Sequence, residues 1–157
     1  MRITVARPEN QLSGAQSLEG QRVLVVEDEF FIADDLAQAL RQQGAEVIGP
    51  IARLGAAMAA LSAPGTIDFA VLDVNLDGDP AFPIGDALRA RDVPFVFATG
   101  YEREFIPPRF RDVPYWEKPF DAGGLARAVC GLSRRAGPAH PPSRGLPGEA
   151  FPNGPAF

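Results

Sequence analysis

The stretch Arg22-Val-Leu-Val-Val-Glu-Asp-Glu29 decides how the chain is read. Its apolar, β-branched residues run on without alternation, the pattern of a strand buried on both faces. Such a strand needs helices on both sides of its sheet, and helical spacing follows at once. From Phe30 to Gln43, Ile32, Leu36, Ala39 and Leu40 fall on one face, and Gly44 stops the segment. The alternation then continues. Ala45 to Ile48 reads as a short strand closed by Gly49-Pro50, and Leu54 to Ser62 as an Ala-rich helix. Ile67 to Leu72 is a strand, Ile84 to Ala90 a short helix, and Pro94 to Ala98 a strand ending at Thr99-Gly100. Val113 to Trp116 is a last strand and Leu125 to Leu132 a last helix, with Val129 and Cys130 on its apolar side. Unbroken apolar strands alternating with helices predict an α/β fold with a five-stranded, doubly wound parallel sheet. Its chemistry belongs at the carboxyl ends of the strands.

One unit is broken. Where a fourth helix belongs, between Gly100 and Tyr115, the chain reads YEREFIPPRFRDVP. Pro107 and Pro108 lack amide donors and clash with the preceding turn, so at most one helical turn and then a loop is expected. The fourth helix is read as degraded.

Outward from this core, residues 1–20 read as a polar N-terminal extension, 21–133 as the folded domain, and 134–157 as a flexible tail. The tail carries six Pro and four Gly among 24 positions, too little burial to offset the entropy of ordering. The whole chain has 157 residues and is 46% hydrophobic and 22% charged, enough apolar material for one buried core. Its 15 basic and 20 acidic residues give a formal charge of −5, which argues against nucleic acid or an anionic membrane surface as partner. No apolar run approaches the roughly 20 residues of a membrane span, and the first residues hold no apolar signal core. The single cysteine, Cys130, excludes an internal disulfide and a thiolate metal cluster. A cytoplasmic protein is expected. The only lysine is Lys118; every other basic residue is arginine.

The strand ends collect a specific set of groups. The first ends in Glu27, Asp28 and Glu29, the third in Asp73, the fourth in Thr99, and the fifth just before Lys118-Pro119. A parallel sheet brings these ends to one edge. Crowded carboxylates resist ionisation and favour a hard divalent cation, and Mg²⁺ suits a site that supplies a few carboxylates. An ammonium and a hydroxyl beside them complete a site for a phosphoryl group, and the central carboxylate can attack phosphorus. Retention of one lysine in an arginine-only chain points to a need for a compact point charge.

Val25-Val-Glu-Asp-Glu29, Leu72-Asp-Val-Asn75, Ala98-Thr-Gly100 and Glu117-Lys-Pro-Phe120 together resemble the receiver domain of two-component response regulators. The resemblance covers about residues 21–133 and implies a flavodoxin-like (βα)5 fold. It implies Asp73 as phosphoacceptor and Asp28, Asp73, Glu27 and the Asn75 carbonyl as the Mg²⁺ set, Glu27 acting through water. Thr99 and Lys118 would bind the phosphoryl group, and Tyr115 would be the aromatic switch. Phe97-Ala-Thr-Gly-Tyr101 is similar to a narrower group, the single-domain FATGUY-type receivers. The implied function is a signalling switch. It would take a phosphoryl group from a histidine kinase or histidine phosphotransfer protein, hydrolyse it slowly and turn over no separate substrate. Its output would be binding to a protein partner or the draining of phosphate. A cis bond at Lys118-Pro119 is expected, because the lysine must point back over the sheet edge while the chain turns away. Phe30, beside the acidic triplet, is a candidate for partner docking, with at least one of Phe30 and Phe31 left partly exposed.

Three other readings compete. Asp73-Val-Asn-Leu-Asp-Gly78 matches half of a calcium loop, but the twelfth position is Ile84 and a strand precedes it. A haloacid-dehalogenase-type phosphatase uses similar groups in a different order, with its acidic pair last. A receiver-like interaction module that is never phosphorylated would not need all these positions filled. His140, in the tail, has no partner for metal or phosphotransfer chemistry in the pattern.

Overall fold

A computed structural model describes residues 17–101 and 103–135. Residues 1–16 of the expected extension, and 136–157 of the expected tail with His140, lie outside the described residues, while Arg134 and Arg135, read from sequence as tail, belong to the last helix. The main strands are β1 (Arg22–Val26), β2 (Glu46–Ile51), β3 (Phe69–Leu72), β6 (Phe95–Thr99) and β7 (Tyr115–Glu117). They form one sheet in the order β2-β1-β3-β6-β7, and every pairing is parallel. This is the 2-1-3-4-5 order of doubly wound flavodoxin-like sheets, whose ligands bind where the strand order reverses.

Strand alternation divides the core in two. Leu24, Val26, Ala70, Leu72, Phe95 and Phe97 face one layer, with Ala57 and Leu61 from α2 (Leu54–Ser62) and Ile84 and Leu88 from α3 (Phe82–Ala90). Val23, Val25, Phe69, Val71, Val96 and Ala98 face the other. That second layer is filled by Leu36 and Leu40 of α1 (Phe30–Gln42) and by Leu125, Val129 and Cys130 of α4 (Ala122–Arg135). Leu18 is buried in the same layer, so the core draws on a residue read from sequence as extension.

Two local features depart from the sequence reading. β2 does not close at Gly49-Pro50 but runs on to Ile51, and its pairing with β1 slips between Leu24 and Val26. Gly49 sits at φ 101° in front of a cis peptide to Pro50, and a Cβ there would come within 2.8 Å of the Val25 carbonyl oxygen. Only glycine accommodates both conditions. After Asp73 the chain makes a small antiparallel hairpin, β4 (Asn75–Leu76) and β5 (Asp79–Pro80). Its two central residues, Asp77 and Gly78, have φ of 51° and 92°, as an Asp-Gly turn of the type I′ class requires. The half calcium loop therefore follows a strand and folds as a hairpin, not as a helix-flanked loop.

The fourth helix is degraded as expected, but in place of at most one turn the segment forms two 3-10 turns, Arg103–Phe105 and Pro108–Phe110, the second opening on a proline whose missing amide donor costs nothing at a first helical position. Phe110, Ile106 and Val113 replace the missing helix face in the core. Phe110 is the anchor, stacked on Phe82 and edge-on to Phe95 and Phe97 at centroid distances of 5.8, 6.0 and 5.6 Å. The guanidiniums of Arg89 and Arg109 lie 5.0 and 4.6 Å from its ring centroid. Arg109 is in turn held by two 3.0 Å hydrogen bonds to Asp86 on α3, and Arg89 reaches Asp112. No helix among the described residues is long and apolar enough to cross a membrane.

Candidate functional site

The carboxyl ends of β1, β3, β6 and β7 meet at one edge. Glu27 continues β1, its amide bonded to the Ile51 carbonyl at 2.9 Å, and Asp73 continues β3, its amide bonded to the Val26 carbonyl at 2.8 Å. Both side chains are buried, at 3% and 4% exposure. Lys118 lies just past β7, its amide bonded to the Thr99 carbonyl at 2.9 Å and its bond to Pro119 cis, as expected. The lysine reaches back over the edge. Its Nζ donates to Asp73 Oδ2 at 2.9 Å, to Glu27 at 2.9 Å and to Glu29 Oε1 at 3.2 Å.

Three carboxylates thus share one ammonium. Burial, and then repulsion from Asp73, push the Glu27 carboxyl up to about 8 despite hydrogen bonds from Lys118 and the Glu29 amide. Burial opposes the charge on Lys118 as well, but its hydrogen bonds to Glu27 and Asp73 prevail and hold it above the ordinary lysine value. The edge carries negative charge that its protein partners do not neutralise. Carboxylate oxygens of Glu27, Glu29 and Asp73 lie within 4.8 Å of one another, a grouping that could hold a metal ion. An all-oxygen donor set of this kind fits a hard divalent cation.

The residues singled out from sequence fall as follows. Glu27, Asp73 and Lys118 are in direct contact. Thr99 is fully buried at the end of β6, and its Oγ1 accepts the Tyr101 amide at 3.2 Å. Asp28 stands apart from that trio: its Oδ2 accepts the Asp77 amide of the hairpin at 3.0 Å. Asn75 donates its amide to Asp73 Oδ1 at 3.3 Å. Tyr115 is half-buried and packs against the layer that holds α2 and α3. Phe30 and Phe31 are 74% and 80% exposed at the start of α1, with rings edge-to-face at 5.5 Å. The expectation of an exposed ring there is met twice over.

Sequence reasoning counted Glu29 only as a member of the acidic triplet and gave no role to Tyr101. Glu29 is the third acid of the triplet, and only the position of Lys118 shows that it faces the same ammonium. Tyr101 Oη accepts a 2.8 Å hydrogen bond from Asn75 Nδ2. Its signal in the sequence was its place two residues after Thr99.

Several solved structures are similar to this chain in fold and sequence. SdrG from Sphingomonas melonis Fr1 is 39% identical with a TM-score of 0.61, the match covering 71% of this chain and 96% of SdrG. The BeF3-activated conformation of SdrG from Pseudomonas melonis Fr1 is 42% identical with a TM-score of 0.60, over 71% of this chain and 95% of the other. The receiver domain of the hybrid histidine kinase CckA is 29% identical with a TM-score of 0.57, over 72% of this chain and 99% of that domain. The transcriptional regulatory protein PdtaR of Mycobacterium tuberculosis is 29% identical over 115 residues, which are 69% of this chain and 55% of PdtaR. The chain spans about half the length of the curated relatives it matches. No family model matches it. With the strand order, the buried acid pair under the lysine and near-complete coverage of SdrG in agreement, the chain belongs to the receiver-domain family of response regulators.

Proposed function

We propose that the chain is a phosphorylation switch in which Asp73 is the phosphoacceptor. The observation that carries this reading is the buried Asp73 carboxylate, 2.9 Å from the chain's only lysine and beside a second buried acid. In the forward step an Asp73 oxygen attacks phosphorus of a phosphohistidine on a kinase or phosphotransfer partner. The P–O bond forms, the P–N bond breaks, and the imidazole nitrogen keeps the electron pair and takes a proton. In the reverse of signalling, water attacks phosphorus and the Asp73 carboxylate leaves. No separate substrate is turned over.

Each neighbour has a part that its position supports. Lys118 is already within bonding distance of the acceptor oxygen and can follow charge onto the transferred group. Thr99, whose hydroxyl now accepts an amide, can turn its proton toward a phosphoryl oxygen. Glu27, Asp28, Asp73 and the Asn75 carbonyl would hold Mg²⁺, which supplies electrostatic stabilisation of the phosphoryl oxygens when bound. Tyr115 would turn inward as Thr99 moves. Phe30, exposed at the mouth of the site, offers an apolar contact for the donor protein. The existence of a BeF3-activated conformation of the similar SdrG supports a switch that responds to a phosphoryl mimic.

The test is incubation with acetyl phosphate and Mg²⁺, followed by intact mass measurement. One added phosphoryl group is expected, lost in Asp73→Asn and in chelator. A gain that survives Asp73→Asn would sink the assignment.

A further inference from the structure

We propose that the hairpin turn Asp77-Gly78 is a clamp on Asp28, a positioning element that sets this carboxylate to meet a divalent cation; the inference rests on the cation set proposed above. Asp28 lies just past the end of β1, and Asp77 lies in the loop that follows Asp73. Asp28 Oδ2 accepts the Asp77 amide at 3.0 Å, and among the described residues this is the one hydrogen bond to that carboxylate. Packing adds little, because Asp28 is half-buried and borders a cavity of about 200 Å³ that it shares with Glu27, Phe30 and Pro50. The amide therefore decides where the carboxylate points. It occupies Oδ2 and leaves Oδ1 for a cation, the way protein donors orient metal-binding carboxylates.

The clamp is firm because the base of the hairpin is fixed. Leu76 and Ala81 are buried in the layer under α2 and α3, and the Ala81 amide closes the base on the Val74 carbonyl at 2.8 Å. Leu76 pairs with Asp79 across the ladder, so only Asp77 and Gly78 form the tip. Their φ values of 51° and 92° define the turn that presents the Asp77 N–H to Asp28. An aspartate tolerates the first value and a glycine the second. A Cβ on Gly78 would meet no atom within 4 Å, so a larger residue there acts through backbone strain alone. Since the hairpin follows directly on Asp73, the clamp also ties a cation ligand beside β1 to the loop of the phosphoacceptor. Cation binding and order in the turn are then linked, and each changes the other by the same factor.

Gly78→Val forces a β-branched residue into the left-handed region and opens the turn, with Glu27, Asp28, Asp73 and Lys118 unsubstituted. Mg²⁺ alone is titrated into unphosphorylated protein and followed by NMR shifts at the sheet edge. Gly78→Val is expected to bind Mg²⁺ about tenfold more weakly than wild type, the lower end of the effect of losing a partner that orients a metal ligand. The reciprocal effect is read on wild type, so it stands even if the variant fails to fold. Saturating Mg²⁺ should slow exchange of the Asp77 amide proton about tenfold and leave the Ala63 amide, at the far end of α2, unchanged. Gly78→Val that binds Mg²⁺ as wild type does, or an Asp77 amide whose exchange is unchanged or faster with Mg²⁺, overturns the clamp and leaves the cation set standing. Equal slowing at both amides is general stabilisation and also overturns the clamp. A wild type that shows no Mg²⁺ binding overturns the cation set, and the clamp falls with it.

Discussion

At the carboxyl edge of the sheet Glu27, Glu29 and Asp73 crowd one ammonium, whereas against α3 Arg109 has Asp86 and Arg89 has Asp112. The two regions use the same kinds of residue to opposite ends. On α3 the pairs are one-to-one and solvent-facing, and hydrogen bonds from Arg109 and Arg89 hold Asp86 and Asp112 below the usual carboxylate range. At the edge Glu27 and Asp73 are buried together, and Glu27 is driven the other way, to about 8. Paired charge over a stacked ring holds a helix-free segment in place. Unrelieved charge over a sheet edge leaves room in the electrostatics for a cation and a phosphoryl group.

The comparison breaks first if Phe110 is not the anchor of the segment 103–113. Phe110→Ala removes a fully buried ring from three aromatic contacts and is expected to cost about 3–5 kcal/mol in denaturant unfolding. A cost below about 1 kcal/mol would mean that the segment is held by its surface pairs instead. Next is the lysine. Lys118→Met leaves three carboxylates facing one another, with a loss of about 3 kcal/mol expected in chelator, the scale of breaking a buried pair. Added Mg²⁺ should return part of that loss, and no return would contradict a cation site at this edge.

A smaller effect carries a sign. The folded state keeps a proton on Glu27 that the unfolded chain sheds above its ordinary value of 4.5. Stability therefore falls as pH rises from there toward about 8, in the absence of a cation. Glu27→Gln should melt with wild type near pH 4 and progressively above it toward pH 8, measured by thermal scans in chelator. A gain largest at low pH would reverse the assignment. The smallest effect belongs to Arg109→Ala, whose exposed ion pair to Asp86 is screened by solvent. Its midpoint shift should be well under that of Phe110→Ala and should shrink further in high salt.

Much of this was legible in sequence because it rests on strand periodicity. Asp73, Thr99 and Lys118 could be placed on one edge from the apolar runs that precede them, and Pro107-Pro108 announced a missing helix through absent donors. What lay hidden depends on side-chain reach and on backbone choices with several outcomes. Gly49-Pro50 reads as a strand terminator until the register slip beside Val25 makes it a passage within β2. Asp77-Gly78 carried a hairpin signal that the half calcium loop concealed. Phe110 looked like a loop residue because its partners, Phe82, Phe95 and Phe97, are distant in sequence. Glu29 and Tyr101 gained their contacts only from where Lys118 and Asn75 point.

The central claim is that the crowded edge exists to place a phosphoryl group on one carboxylate. It is tested most directly by trapping the acyl phosphate with borohydride after acetyl phosphate treatment and mapping the reduced residue by peptide mass spectrometry. The account predicts a single reduced position, residue 73, that appears only when a divalent cation is present. Label at any other residue, or at residue 73 to the same extent in chelator, would contradict it.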